Sequence, residues 1–282
     1  MTAQTQQANI ENAHEEIIHE NTMFAEPISY IGKFPITNSL LNSWIVVFII
    51  LVISLVIRMN IRMIPGKVQS VLEMAVEGLL EIFDSVTGSR KKSLKFFPFV
   101  FTFFIFILLS NWMGMLPGVG SIGQVVAEHG EKVFIPYFRG GTADLNTTLA
   151  LAIIGVVASH ILGTVSLGIW RHFNKFINIQ TLVEIPRKIV KEPTILIVNP
   201  IKFFVGLLEI IGELAKVASL SFRLFGNIFA GEVLLASMSA ILAFGLPIPF
   251  MFLEVIVGLI QAMIFMMLVL TYLTMSSTAE EH

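Results

Sequence analysis

A run of 42 residues, 203–244, contains no proline and is largely apolar, and it constrains the fold of this chain more than any other feature. As one α-helix it would be about 63 Å long at 1.5 Å per residue. The hydrocarbon core of a bilayer is only about 30 Å thick, and ordinary tilts of about 20° do not absorb the difference. The sequence therefore predicts a helix that either breaks or lies steeply tilted. Because no proline forces a break, we favour the tilted helix.

A single arginine lies inside this run. Between residues 217 and 231, Arg223 is the only charged residue. A guanidinium does not escape burial by losing its proton, and placing it at mid-bilayer costs about 2.5–3.5 kcal/mol on insertion scales. The position predicts an ion or proton path in which Arg223 meets a carboxylate. The alternative is a structural arginine that bonds carbonyl groups or reaches the membrane interface.

The composition excludes several classes of protein. The chain is 55% hydrophobic and 13% charged, which is typical of an integral membrane protein. There is no cysteine, so disulfides and thiolate chemistry are excluded. We see no P-loop, HExxH, haem-attachment or basic nucleic-acid motif, so we predict no metal, no cofactor and no nucleic acid. The acidic N-terminus lacks the basic and apolar regions of a cleaved signal peptide.

The pattern of apolar runs predicts an all-α integral membrane protein with one membrane domain. We expect five membrane-embedded helices and one amphipathic surface helix, with the last two helices long, steeply tilted and antiparallel. A polar N-terminal tail covers residues 1–38. The predicted spans are 40–57, 96–116, 145–170, 203–244 and 249–275.

The amphipathic helix is predicted at 65–88. Glu73, Glu77 and Glu81 recur every four residues there, between Pro65 and Gly88. This acidic row is predicted to be a solvated face, and a docking surface for a soluble partner is the alternative.

Lysine and arginine predict the orientation. Thirteen of the 18 fall on one side when the loops are taken alternately, three fall on the other, and two lie within helices. By the positive-inside rule, a multi-pass chain with its N-terminus outside and its C-terminus in the cytoplasm is expected.

Polar residues surround Arg223 on the helical wheel. Ser219 and Asn227 lie four residues to either side, about 40° away, and Glu209 lies two heptads earlier, also about 40° away. Small residues on this broad face permit close approach of a partner helix, so we expect the arginine to point at that partner and not at lipid.

A second polar group is expected on the opposite face. Glu232 lies nine residues after Arg223, roughly 180° round the helix, and should face the last helix. That helix carries Glu254 and Gln261, which are seven residues apart and share a face. Two carboxylates and an amide are therefore predicted to meet, while Glu209 lies about 21 Å along the axis from Arg223 on the other side. The pattern indicates two polar regions with a fixed positive charge between them.

Each residue taken alone also has a structural interpretation. Lys216 could reach the interface, and Glu232 or Glu254 could make a packing hydrogen bond. His160 is better interpreted as an interhelical hydrogen bond than as a ligand. Asp144 and Asn146 are helix-cap candidates at the start of the third span, and also candidates for the opening of a channel.

Three stretches carry a resemblance to a known family. SLSFRLFGNIFAGE at 219–232, LIQAMIFMMLVLTYLTMS at 259–276 and ADLNTTLALA at 143–152 resemble subunit a of the F-type ATP synthase. The resemblance covers most of the chain, apart from the N-terminal tail and the loop at 117–143.

The resemblance implies roles for named residues. Arg223 would be the stator arginine that interacts with the ionised carboxylate of each passing c subunit and blocks direct proton leak. Asn227, Glu232, Glu254 and Gln261 would line the outer half-channel, whereas Glu209 and Ser219 match positions associated with the cytoplasmic exit. The family sometimes has histidine at the position of Glu254, and here both members of the Glu232–Glu254 pair are glutamate.

The function implied is that of a non-catalytic proton-channel subunit. Two offset half-channels would couple proton flow to rotation of the c-ring and to ATP synthesis, and a sodium-translocating version of the subunit is the alternative. The partners implied are the c-ring, the subunit b stator and the lipid bilayer, in a bacterial inner membrane. A secondary transporter would show repeats, which we do not see. A purely structural subunit would tolerate Arg223→Ala, and an autonomous channel would conduct without a ring.

Overall fold

A computed structural model describes residues 22–116, 119–128, 131–168, 195–242 and 245–277. Six α-helices dominate these residues: α1 (Asn38–Asn60), α2 (Lys67–Thr87), α3 (Arg90–Met113), α4 (Leu145–Leu167), α5 (Ile195–Ile241) and α6 (Pro247–Ser277). Two antiparallel hairpins accompany them, β1 (Pro27–Ile31) with β2 (Phe34–Thr37) and β3 (Gly123–Glu128) with β4 (Glu131–Pro136). One 3₁₀ turn, Gly141–Ala143, precedes α4.

Five of the six helices are long and apolar enough to cross a membrane, and α2 is the exception. The predicted fold class, with five spans and one amphipathic helix, is confirmed. The candidate spans are Asn38–Asn60, Arg90–Met113, Leu145–Ser166, Phe204–Ile241 and Pro247–Ser277.

Helix α5 is longer than the sequence predicted. Its 47 residues correspond to about 70 Å at 1.5 Å per residue. It begins at Ile195 and not at residue 203, so Pro200 lies inside it. Pro200 is in the second turn, where it lacks the backbone N–H that would bond the carbonyl four residues earlier, so the helix has one hydrogen bond fewer there. The start of α6 at Pro247 fits the preference of proline for the first helical turn.

The two hairpins were not predicted. They fall in the predicted polar tail and in the predicted loop at 117–143. The turn between β1 and β2 places Gly32 at a φ of +65°, a conformation that suits glycine. The first 21 residues and the basic segment at 169–194 lie outside the described residues.

The described residues divide into two compact units. The first unit contains α1 as far as Ile57, both hairpins, α3 from Phe106, and the stretch Phe225–Ile260. The second unit contains α2, α3 as far as Ile105, α4 from Thr148, α5 as far as Leu224, and α6 from Gln261.

In the second unit, α2 is buried only towards its end, at Leu80, Phe83 and Thr87, and most of its length is exposed. Phe83 is fully buried, and its ring packs edge-on against that of Phe97 on α3 with centroids 5.3 Å apart. On the exposed side, Arg90 pairs with Glu77 at 2.6 Å and with Asp84 at 3.0 Å. One member of the acidic row, Glu77, thus holds the start of α3 together with the neighbouring Asp84.

The spans of the second unit meet through small and aromatic side chains. Phe103 on α3 packs against Phe265 on α6 with ring centroids 5.6 Å apart. A Cβ on Gly155 of α4 would stand 3.1 Å from Val269 of α6, so glycine permits close packing there. The hydroxyls of Thr148 on α4 and Ser221 on α5 are 3.2 Å apart. The last of these contacts holds α4 to the α5 segment that carries Arg223.

In the first unit, Asn111 joins three elements. Its buried side-chain amide donates to the carbonyl of Gly258 on α6 at 3.0 Å, and its oxygen accepts from Thr142 of the 3₁₀ turn at 2.6 Å. The indole of Trp112 donates to the carbonyl of Val255 at 3.2 Å. These bonds fix α3 and the 3₁₀ turn against the α6 segment that carries Glu254.

Candidate functional site

An ion pair between Arg139 and Glu232 lies at the centre of the first unit. Nε and Nη2 of Arg139 donate to the same carboxylate oxygen of Glu232, at 3.2 and 3.1 Å. Arg139 is only 9% exposed and Glu232 is 24% exposed. Glu232 therefore has a partner that the sequence analysis did not predict, because Arg139 lies in a loop and was used there only to predict the membrane orientation.

Arg139 also binds the segment that precedes β1. Its Nη2 donates to the carbonyl of Thr22 at 2.7 Å, and its Nη1 donates to the carbonyl of Phe24 at 3.3 Å. The backbone N–H of Leu145 donates to the carbonyl of Met23 at 3.4 Å. Residues 22–24 are thus held against the ion pair. No local sequence pattern could have revealed this, since Arg139 and Thr22 are 117 positions apart.

Glu254 occupies a space that a glycine leaves open. A Cβ on Gly231 of α5 would overlap the carboxylate of Glu254 on α6, and Glu254 is 8% exposed. Glu232 directly follows Gly231, so its backbone lies beside the Glu254 carboxylate and near the last helix, as the helical wheel predicts. The first unit therefore holds both the Arg139–Glu232 ion pair and the Glu254 carboxylate.

Asp144 caps α4, which is the structural role expected of it. Its Oδ1 accepts from the backbone N–H of Asn146 at 3.1 Å, and its Oδ2 accepts from the hydroxyls of Ser39 and Thr147 at 3.0 and 3.2 Å. Asp144 is buried, whereas the side chain of Asn146 is exposed in the first turn of α4. The backbone N–H of Asn146 thus donates to the capping side chain, and the side chain of Asn146 does not cap the helix.

Arg223 is exposed on α5, in the second unit. Its Nη2 donates to the hydroxyl of Ser219 at 3.4 Å, one turn earlier in the helix. It also interacts electrostatically with Tyr272 on α6. Asn227, one turn later, is exposed as well. An exposed arginine in a candidate span leaves its guanidinium accessible to another molecule within the membrane.

A second group of charged residues lies on α4 and α5. Nε2 of His160 is 3.3 Å from one carboxylate oxygen of Glu213, and Nζ of Lys216 donates to the other oxygen at 2.6 Å. The interhelical bond expected at His160 is therefore present, and Lys216 has a partner. Glu209 is half-buried one turn before Glu213, and Gln261 is buried on α6. Across the described ranges, no group of three or more His, Asp or Glu side chains could hold a metal ion.

Replacing Arg139 with glutamine should release the segment that precedes β1. The change leaves the buried Glu232 carboxylate without its counter-charge, and breaking a buried ion pair costs about 3–5 kcal/mol. We expect faster chymotrypsin cleavage at Phe24 in the purified protein and a lower midpoint of thermal unfolding.

Lys33→Gln provides the matched control, because it removes one positive charge from the exposed turn between β1 and β2. Cleavage rates that are equal in Arg139→Gln and Lys33→Gln would show that the ion pair does not hold this segment.

Comparisons with known proteins assign the chain to a family. The sequence model described as "ATP synthase A chain" matches residues 40–274. The chain is 32% identical to ATP synthase subunit a of Desulfotalea psychrophila, over 85% of this chain and 83% of that protein. It is 30% identical to the subunit a of Moorella thermoacetica over 87% and 93% of the two chains, and 31% identical to that of Trichlorobacter lovleyi over 87% and 89%. Because the family match covers most of the chain and overlaps all five candidate spans, this protein is a member of the ATP synthase subunit a family.

Proposed function

We propose that this chain is the stator proton-channel subunit of an F-type ATP synthase. Two offset half-channels deliver protons to and from the carboxylates of a rotating c-ring, and Arg223 separates them. The flow of protons is thereby coupled to ring rotation and to ATP synthesis. The chain itself does not hydrolyse ATP.

The observation that carries this proposal is the exposure of Arg223 within an apolar candidate span. Within the part of the chain that the structure describes, the guanidinium makes a long hydrogen bond, of 3.4 Å, to Ser219. A permanently charged group at that depth is costly unless an anion or water compensates it. The ionised carboxylate of a c subunit, presented from the membrane, supplies that anion.

The outer half-channel is formed by Glu232, Glu254, Asn227 and Gln261, with Asp144 and Asn146 at its opening. The ion pair of Glu232 with Arg139 and the close position of Glu254 support this assignment. Two carboxylates close together in one unit offer two groups that can accept and release a proton along this path.

The inner half-channel contains Glu209 and Ser219, which precede Arg223 along α5. Ser219 is uncharged, but its hydroxyl accepts a hydrogen bond from Arg223 and so helps to orient the guanidinium. As a protonated ring carboxyl approaches Arg223, it releases its proton into this half-channel and becomes a carboxylate. The electrostatic attraction between the two ions then favours the ionised form of the ring site.

The cycle proceeds in three steps. A proton enters through the outer half-channel and neutralises a ring carboxylate. The neutral site rotates through lipid, where an ionised one would be too costly. Near Arg223 the proton leaves by the inner half-channel. The c-ring and the subunit b stator are the partners, in a bacterial inner membrane with the N-terminus outside and the C-terminus in the cytoplasm.

The test is ATP-driven pumping by the complete complex in liposomes. With this chain present, we expect acidification of the lumen at the same rate in sodium-free and in sodium-containing buffer. Complexes assembled without this chain should hydrolyse ATP without acidification. Pumping that requires sodium, with uptake of sodium ions, would identify the sodium-translocating version. Acidification without this chain would overturn the proposal.

A further inference from the structure

The charged group on α4 and α5 has no role in the function proposed above. His160 and Lys216 each contact a different oxygen of the Glu213 carboxylate, at 3.3 and 2.6 Å. Glu213 is 18% exposed, and its two partners are about one-third exposed. The carboxylate therefore bridges an imidazole on one helix and an ammonium group on its own helix.

Helix α6 extends this group towards Arg223. Nζ of Lys216 lies 5.2 Å from the ring centroid of Tyr272, within the range of a cation–π contact. Tyr272 interacts electrostatically with both Glu213 and Arg223. All of these residues belong to the second unit. An imidazole, a carboxylate, an ammonium group and a phenol ring thus follow one another across α4, α5 and α6.

We propose that His160, Glu213, Lys216 and Tyr272 form a proton-relay site in the inner half-channel. The inference rests on the proposed function and names the groups that carry the proton between the ring and the aqueous phase on that side. The function proposed above assigned Glu209 and Ser219 to this half-channel, and neither residue is part of the His160–Glu213 pair.

The chemistry of the four side chains suits a relay. Histidine is the side chain that most readily gains and loses a proton near neutral pH, and a carboxylate can both accept and donate one. Glu213 and Lys216 neutralise each other, so one extra proton adds only a single positive charge to the group. The charged or titratable side chains that face it are Glu213, Lys216 and Arg223 on α5 and Tyr272 on α6.

The transfer balances as three proton steps. In the direction of ATP synthesis, the ring carboxyl gives its proton to water near Arg223, and water passes a proton to Glu213, about 15 Å away along α5, where an O–H bond forms. That bond breaks as the proton moves to Nε2 of a neutral His160 that carries its own proton on Nδ1. The proton on Nδ1 then passes to water as a hydronium ion, and exchange of the remaining imidazole proton through water restores the starting tautomer.

The alternative is that the group only packs α4 against α5. His160→Gln separates the two roles, because an amide can still bond Glu213 but cannot be protonated near neutral pH. His160→Ala leaves a space that free imidazole can enter. A packing residue would show neither a changed pH profile nor recovery of pumping with imidazole.

The experiment measures the rate of ATP-driven pumping by the complete complex in liposomes, from about pH 6 to about pH 9. We expect His160→Gln and Glu213→Gln each to lower the rate about tenfold, less than the usual loss for a general acid–base group because water can replace part of the relay. The double variant should lose no more than either single one, and imidazole should restore His160→Ala. Glu81→Gln, the same change at an exposed carboxylate on α2, should match the unmodified complex.

The outcomes distinguish the relay from the proposed function. A wild-type rate and pH profile in assembled His160→Gln would overturn the relay, and so would strictly additive losses with no effect of imidazole. Arg223→Ala is measured in the same assay. If it pumps normally, the proposed function fails; if it does not pump while His160→Gln does, only the relay fails.

Discussion

Arg223→Ala is expected to abolish ATP-driven proton pumping while leaving the complex assembled. The guanidinium is exposed, and its hydrogen-bond partner Ser219 is exposed as well, so its removal leaves that hydroxyl open to another partner. Function should fail because the fixed charge that draws the proton off each ring carboxyl is gone. Loss of one preorganised electrostatic group costs about 2.7–4 kcal/mol, or about 10²–10³-fold in rate. The measurement is pumping per assembled complex in inverted vesicles.

Two comparisons make this result specific to Arg223. Arg58→Ala removes the same side chain from the last turn of α1, and we expect it to pump normally. Vesicles stripped of the catalytic sector should leak protons faster with Arg223→Ala than with the unmodified chain, because the charge that separates the half-channels is missing. Normal pumping by assembled Arg223→Ala would return the arginine to a structural role.

The apolar spans were predictable because they depend on local composition. A membrane helix satisfies its own backbone hydrogen bonds, so length and hydropathy alone identify it. The errors lie where local rules weaken. Pro200 suggested a later start for α5, but the helix continues through this proline and begins at Ile195. The two hairpins are short and sit in polar segments, where neither apolar length nor helical periodicity gives a signal.

The site residues on helices could be predicted from the sequence, whereas the loop residue Arg139 could not. Helical periodicity predicted that Glu232 and Glu254 lie near each other, and the Glu254 carboxylate packs against Gly231, the residue before Glu232. Arg139 could not be foreseen, because it comes from a connection 93 residues away from Glu232. Similarly, nothing local indicates that His160 on α4 reaches Glu213 on α5. Contacts between distant segments depend on how the helices pack, and local patterns in a single sequence do not reveal that packing.

Gly231→Ala is expected to reduce pumping roughly 100-fold without unfolding the chain, since a displacement of about 1 Å in a reacting group can cost that much. The added methyl group would overlap the carboxylate of Glu254. The overlapped atoms are the far end of a flexible side chain, so we expect Glu254 to move and the helices to stay in place. The measurement is pumping per assembled complex, with the midpoint of thermal unfolding as the test of folding.

A second substitution can correct the first. In the double variant Gly231→Ala with Glu254→Asp, the side chain at position 254 is one methylene shorter, so its carboxylate can avoid the new methyl group. We expect this double variant to pump faster than Gly231→Ala alone, although Glu254→Asp alone should pump more slowly than the unmodified chain. Gly78→Ala, where a Cβ on α2 meets nothing within 4 Å, is the control for the effect of alanine in a helix. If Gly231→Ala pumps as well as Gly78→Ala, the position of the Glu254 carboxylate does not limit proton flow. The outer half-channel must then depend on Glu232 and Arg139 without it.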